Sequence, residues 1–152
     1  MRKVAFFLAI IGLYSCESTV YKNYHSFNNS NWNSDSVIEF NYEIKDTIIS
    51  YDVLLAVRHS VDYEYQNLFL FIEGENRDTI EIMLADKIGK WHGRGLGDVR
   101  EVRYNIYTNK VFKKEESYTI MVEQAMRYGP ASKIDNLENI LDIGLIIKEH
   151  NE

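Results

Sequence analysis

Apolar side chains recur at every second position through most of this sequence, and no other feature constrains its fold as strongly. Ile38, Phe40, Tyr42 and Ile44 form the first run, followed by Tyr51, Val53, Leu55 and Val57 and then by Leu68, Leu70 and Ile72. The pattern continues through Ile80, Ile82 and Leu84, through Val102, Tyr104 and Ile106, and through Tyr118, Ile120 and Val122, and it ends with Ile143, Leu145 and Ile147. A strand points successive side chains to opposite faces, so a period of two marks a β-strand with one face in a core. Seven strands are predicted on this basis.

Turn-forming residues separate them: Gly74-Glu75-Asn76, Thr108-Asn109 and Tyr128-Gly129-Pro130, the last holding the single proline. Only 134–141 reads as helix, with Asp135 as N-cap before Leu137-Glu138-Asn139-Ile140, and its length allows one or two turns. The expected fold is all-β, an antiparallel two-sheet β-sandwich of seven to eight strands with one short helix, occupying residues 36–152. Phe69 and Phe71, like Leu54 and Ala56, make the second faces of their strands apolar too. Those strands are expected to be central and covered on both sides, or to belong to an interface. With 45% apolar residues, eleven Tyr and seven Phe, one domain has ample material for one core.

The first sixteen residues follow a different logic. Met1-Arg2-Lys3 is cationic, Val4 to Tyr14 is an unbroken apolar run of eleven residues, and Ser15-Cys16 follows. Such a run rises only about 16 Å as a helix, against a hydrocarbon core of about 30 Å, so it reads as a secretory signal peptide over residues 1–15. Leu13-Tyr14-Ser15-Cys16 resembles the bacterial lipobox, in which the Cys thiol receives a diacylglyceryl group and becomes the new N-terminus. Cys16 is the only cysteine, so no disulfide claims it. Two or three acyl chains hold a protein to a bilayer durably where one does not. After Cys16, residues to Asp35 are rich in Ser, Asn and Thr without a sustained period and read as a flexible tether, docked at Trp32. As a random coil it would reach roughly 25 Å.

Removing residues 1 to 15 takes Arg2 and Lys3 with them, leaving 15 Lys plus Arg against 23 Asp plus Glu, a net charge of about −8. Nucleic-acid binding is driven by cationic side chains that release counterions, so no nucleic-acid partner is expected. His25, His59, His92 and His150 lack ligand spacing, and no paired-cysteine or His-Glu-x-x-His pattern occurs. No nucleophile elbow or phosphate-binding loop is present, and Gly93-Arg94-Gly95-Leu96-Gly97 lacks dinucleotide spacing. No catalytic residue, metal ligand or cofactor is therefore assigned. The nearest approach to an acid pair is Asp86, Asp98 and Glu101, which read first as solvated turn carboxylates.

The segment that stands out runs through Asp86, Gly89, Trp91, Gly93, Arg94, Gly95, Gly97 and Asp98, with four glycines in nine residues around one tryptophan. Two readings compete. In one, Trp91 stacks on a sugar or enters a partner's groove while Arg94 and Asp98 supply directional hydrogen bonds. In the other, the stretch is a bulged crossover pinned by a buried Trp.

Here the sequence resembles the gliding-motility lipoprotein family GldH of the Bacteroidetes, whose members carry Asp-x-x-Gly-x-Trp-x-Gly-x-Gly-x-Gly-Asp, in this chain Asp86 to Asp98. The resemblance extends to Asn67-Leu68-Phe69-Leu70, to Glu123-Gln124-Ala125-Met126-Arg127 and to Leu137-Glu138-x-Ile140-x-Asp142-Ile143-Gly144. His92 departs from the family's pattern. The resemblance implies a non-enzymatic accessory of the gliding machinery linked to type IX secretion. It would be lipid-anchored, on the periplasmic face of the outer membrane, with other gliding or envelope-assembly proteins as its partners. Asp35-Ser36-Val37, Asp46-Thr47-Ile48 and Asp78-Thr79-Ile80 are similar to the O-glycosylation tripeptide of exported proteins in this phylum, which makes Ser36, Thr47 and Thr79 candidate acceptors. A carbohydrate- or peptidoglycan-binding module is the alternative from another class, on the strength of 13% aromatic residues.

Overall fold

The structure, a computed structural model, describes residues 18–130 and 132–151. The signal peptide and Cys16 lie outside the described residues. The strands are β1 (Thr19–Ser26), β2 (Asn31–Asn33), β3 (Ile38–Glu43), β4 (Tyr51–Ser60), β5 (Asn67–Glu73), β6 (Arg77–Met83), β7 (Val99–Lys110), β8 (Ser117–Gln124), β9 (Arg127–Tyr128), β10 (Ser132–Lys133), β11 (Asn136–Glu138) and β12 (Ile140–Glu149). Eight of them build two four-stranded sheets, in the orders β1-β12-β4-β7 and β3-β8-β5-β6, and β9 with β10 and β2 with β11 form small ribbons. The strands pair antiparallel throughout the described residues.

The period-two residues meet between the sheets. Val53, Leu55, Val57, Ile143, Leu145 and Ile147 line the inner face of the first sheet, and Phe40, Tyr42, Leu68, Leu70, Ile120 and Val122 that of the second, in one buried cluster. At about 25 cal/mol per Å² of apolar surface removed from water, this cluster is the main source of stability. The two-sheet sandwich expected from the alternation is therefore the fold. Leu54 and Ala56 are buried on the outer face of β4, against Ile146 and under Tyr24, which makes β4 a central strand covered on both sides. Phe69 is 36% exposed on the outer face of β5 and Phe71 is half-buried beneath the Arg77 guanidinium.

Two expectations are corrected. The polar stretch up to Asp35 is not a flexible tether but belongs to the fold from Thr19 onward. β1 zips along β12 from Thr19 opposite Lys148 to Ser26 opposite Asp142, and Trp32 is fully buried, stacked on Phe27 at 4.8 Å. The backbone ladder holds β1, so little of it shows as side-chain alternation: only Tyr21 and Tyr24 are partly buried in its eight residues. The Tyr24 ring lies directly over Gly144, where a Cβ would come within 2.5 Å of it. The second correction concerns the helix over 134–141, whose place is taken by β11 and the start of β12. Asn139 adopts a left-handed φ of 66° between them, so Leu137 and Ile140, three apart as on a helix, both reach the core from extended backbone. The one helical turn among the described residues is the 3₁₀ turn Asn28–Ser30.

The strand registers give the sandwich two distinct ends. Thr19, Glu43, Tyr51, Lys110, Ser117 and Glu149 lie at one, the proximal end. The opposite, distal end carries the connections 27–37, 61–66, 84–98 and 125–139.

Candidate functional site

The glycine-rich crossover from β6 to β7 folds as two successive hairpins at the distal end. In the first, the Asp86 carboxylate accepts hydrogen bonds from the Ile88 and Lys90 amides at 3.0 and 2.9 Å, and Gly89 closes the turn with φ 85°. An antiparallel bridge between Ala85 and Trp91 and a bond from the His92 amide to the Leu84 carbonyl at 2.8 Å complete it. The second hairpin lays Arg94 against Glu101 of β7, and the two residues exchange both backbone hydrogen bonds, at 3.1 and 2.7 Å.

Glycine is required beside that pair by contact distance. A Cβ on Gly93 would stand 2.1 Å from the Glu101 carbonyl oxygen, and one on Gly95 would stand 1.7 Å from that of Val99. No side chain fits between backbones so close. At the tip, the Arg100 guanidinium donates to the Gly97 carbonyl at 2.7 Å, and the Val61 amide donates to the Asp98 carbonyl at 2.8 Å. These bonds hold two aliphatic side chains in water: Ile88 is 89% and Leu96 92% exposed, one on each hairpin.

Trp91 turns the other way. It is half-buried against the core, its ring 4.8 Å from that of His59, which is itself fully buried and 5.9 Å from Tyr63. The pinned-crossover geometry thus accounts for Trp91, and Ile88 and Leu96 are offered to solvent together with Lys87, Lys90, His92, Arg94 and Asp98. His59 Nδ1 lies 2.9 Å from the Ser60 carbonyl, while Nε2 is buried and has no hydrogen-bond partner among the described residues. Burial, aided by the Arg100 charge, pushes the imidazole below its ordinary range against the opposing Ser60 bond.

Beneath the second hairpin, the outer face of the first sheet forms a groove of about 790 Å³ bordered by Leu54, Arg58, Leu96, Glu101, Arg103 and Lys148. Glu101 is its hub. Its carboxylate accepts from Arg58 Nε and Arg103 Nε, each at 2.8 Å, and from the Tyr24 hydroxyl at 3.2 Å. Burial would raise this carboxyl, but the hydrogen bonds and charges of the two arginines outweigh it and hold the group below the usual carboxylate range. The Arg58 guanidinium also stacks over the Tyr24 ring at 4.3 Å and lies 3.7 Å from Asp142.

Of the three acids nearest a cluster in sequence, Asp86 is therefore engaged by two backbone amides and Glu101 by two arginines, in different hairpins. The described residues contain no group of three or more His, Cys, Asp or Glu able to hold a metal ion. His150 sits on Asp52 at 2.8 Å at the proximal end, and His25 packs on Phe27, far along the chain from His59. Ser36 and Thr79 are exposed and Thr47 is half-buried; they lie in the connection before β3, in the edge strand β6 and in the loop before β4. The structure does not bring them together.

Sequence reasoning placed Asp86 to Asp98 in one loop but overlooked Ile88, Leu96 and the Arg58–Glu101 network. An aliphatic residue beside a turn glycine was the available signal for the first two, since a turn tip has no core to face. The other stretches that resemble the family's pattern also lie toward the distal end. Gln124 of β8 lies opposite Leu70 of β5, the Ala125 amide donates to the Phe69 carbonyl at 2.8 Å, and the buried Gln124 side chain bridges the Met126 amide and the Ile134 carbonyl at 2.9 and 2.6 Å.

A family model described as GldH lipoprotein matches residues 19–147. The chain belongs to the GldH lipoprotein family. Its sequence is 34% identical to the gliding motility lipoprotein GldH homolog of Christiangramia forsetii, with 95% of this chain and 93% of the relative covered. It is 30% identical to the gliding motility lipoprotein GldH of Flavobacterium johnsoniae, with 93% and 92% covered. Among solved structures, the infectious bursal disease virus VP2 subviral particle aligns with 97% of this chain and 37% of its own, at 17% identity and a TM-score of 0.35. So low a score carries no inference about this GldH-family chain.

Proposed function

We propose that this GldH-family protein is a gliding-motility lipoprotein, acylated on Cys16, that acts without catalysis by binding another protein of the gliding and type IX secretion machinery. Its place is the periplasmic face of the outer membrane. The observation that carries the binding role is the distal end of the sandwich, where two backbone-braced hairpins hold Ile88 and Leu96 almost fully in solvent. Apolar side chains kept rigidly exposed cost little ordering entropy when a partner covers them, and burying each is worth about 1.5–3 kcal/mol. The other stretches that resemble the family's pattern lie toward the same end of the sandwich. The names of the two relatives support the setting.

A sugar-binding role would draw support from coplanar aromatic rings in an open groove. The near-parallel pairs among the described residues, Phe27 with Trp32 at 22° and Tyr42 with Tyr118 at 19°, each have one ring buried in the core, so the protein-binding role is favoured.

The test is crosslinking in native membranes of wild type, Cys16→Ala and the double variant Ile88→Asp/Leu96→Asp. Cys16→Ala is expected in the soluble fraction, and the double variant is expected to stay membrane-bound and folded while losing its crosslinked partner. A double variant that keeps the same crosslinks would remove the distal end from the binding role.

A further inference from the structure

We propose that the proximal end of the sandwich rests directly on the bilayer, with Ile48 inserted among the lipid head groups and Val20 and Val111 beside it. The inference rests on the acylation of Cys16 and adds an orientation to it. β1 begins at Thr19, three residues after Cys16, and from that point the chain is tied down: Thr19 pairs with Lys148, and the Ser18 carbonyl accepts the Glu149 amide at 3.0 Å. Three residues span at most about 10 Å when fully extended. An anchor at residue 16 therefore holds the proximal end within that distance of the lipid, where a nineteen-residue coil would have let the domain float free.

The surface so held has the character of an interfacial contact. Ile48, in the loop between β3 and β4, is 92% exposed; Val111, just after β7, is 54% exposed and Val20, at the start of β1, 43%. β1 and β7 are the two edges of the first sheet, so Val20 and Val111 stand about 15 Å apart at the usual strand spacing. The Asp46 carboxylate accepts the Ile48 amide at 2.7 Å and fixes the loop that presents it. Glu43, Asp46, Glu75, Glu115, Glu116 and Glu149 outnumber Lys45, Lys110, Lys113 and Lys114 at this end, so charge does not drive the approach. The short link and the aliphatic contacts set the orientation. It also turns the distal hairpins away from the membrane, toward whatever they bind.

Cys16 is the only cysteine, and acylation consumes its thiol, so one introduced cysteine can be labelled uniquely. The acylated protein carrying Ile48→Cys or Leu96→Cys is labelled with a polarity-sensitive fluorophore and reconstituted into phosphatidylethanolamine/phosphatidylglycerol vesicles containing a lipid-borne quencher at the depth of the glycerol backbone. Both positions are 92% exposed, so neither substitution reaches the core. The probe at 48 is expected to shift to shorter wavelength and to be quenched at least about twofold more than the probe at 96. Equal quenching at the two sites in protein that floats with the vesicles would overturn the orientation while leaving the anchor intact. Protein that fails to float would overturn the acylation itself, and the orientation with it.

Discussion

Replacing Gly95 by alanine tests how the distal hairpins are held. The added methyl would meet the Val99 carbonyl oxygen at 1.7 Å, where real Cβ contacts under 3.0 Å essentially never occur, so the two backbones must part by at least about 1.3 Å. Movement of that size breaks the paired hydrogen bonds between Arg94 and Glu101, now 3.1 and 2.7 Å. At about 1 kcal/mol for each bond the loss is about 2 kcal/mol. Unfolding entropy of about 2.1 cal/mol/K for each of roughly 130 residues amounts to about 0.27 kcal/mol/K, so Tm is expected to fall by about 7 °C. Gly97→Ala is the control: nothing lies within 4 Å of its Cβ, and only the φ of 61° is strained, at a cost of about 1 kcal/mol and a fall of about 4 °C. Calorimetry gives both numbers, and amide hydrogen exchange at Glu101 reports the hairpin itself. A Gly95→Ala protein with wild-type Tm and wild-type protection at Glu101 would refute the close-approach argument.

Two further outcomes are expected. His59 is buried in its neutral form with a depressed proton affinity, so below the ordinary histidine value of about 6.5 the unfolded chain binds more protons than the folded one. Stability is therefore complete above about pH 6.5 and declines as the pH falls, and His59→Leu should flatten that decline in urea titrations at pH 7.5 and 5.5; an unchanged slope would show that another group is responsible. Trp32 is fully buried, stacked on Phe27 and bonded through Nε1–H to the Ser36 carbonyl at 3.2 Å. Trp32→Ala should cost about 3–5 kcal/mol of unfolding free energy, and a loss under about 1 kcal/mol would mean that β2 and β11 contribute no closure to the core.

The contrast between β4 and β1 explains what could be read in advance. Along β4 every second residue is bulky and apolar, a pattern that local strand geometry converts directly into a buried face. In β1 the side chains carry little such information because the strand is an edge, held by backbone bonds to β12 that any sequence without proline can make. Leu137 and Ile140 show the same limit from the other side: their spacing of three fits a helix, and only the left-handed turn at Asn139 directs both into the core from extended chain.

The site divides in the same way. The residue string from Asp86 to Asp98 was visible as a glycine-rich unit around a tryptophan, but the direction each side chain takes depends on what lies across from it. Alternation, the lone cysteine and the apolar leader are properties of the chain alone, since they follow from the order of residues and their geometry along one backbone. Which strand stands at an edge, why Gly93 and Gly95 admit no side chain, and why Trp91 points inward while Ile88 and Leu96 point out were decided by the tertiary structure. Each of these depends on a distance of a few ångströms between segments that meet only when the sheets pack.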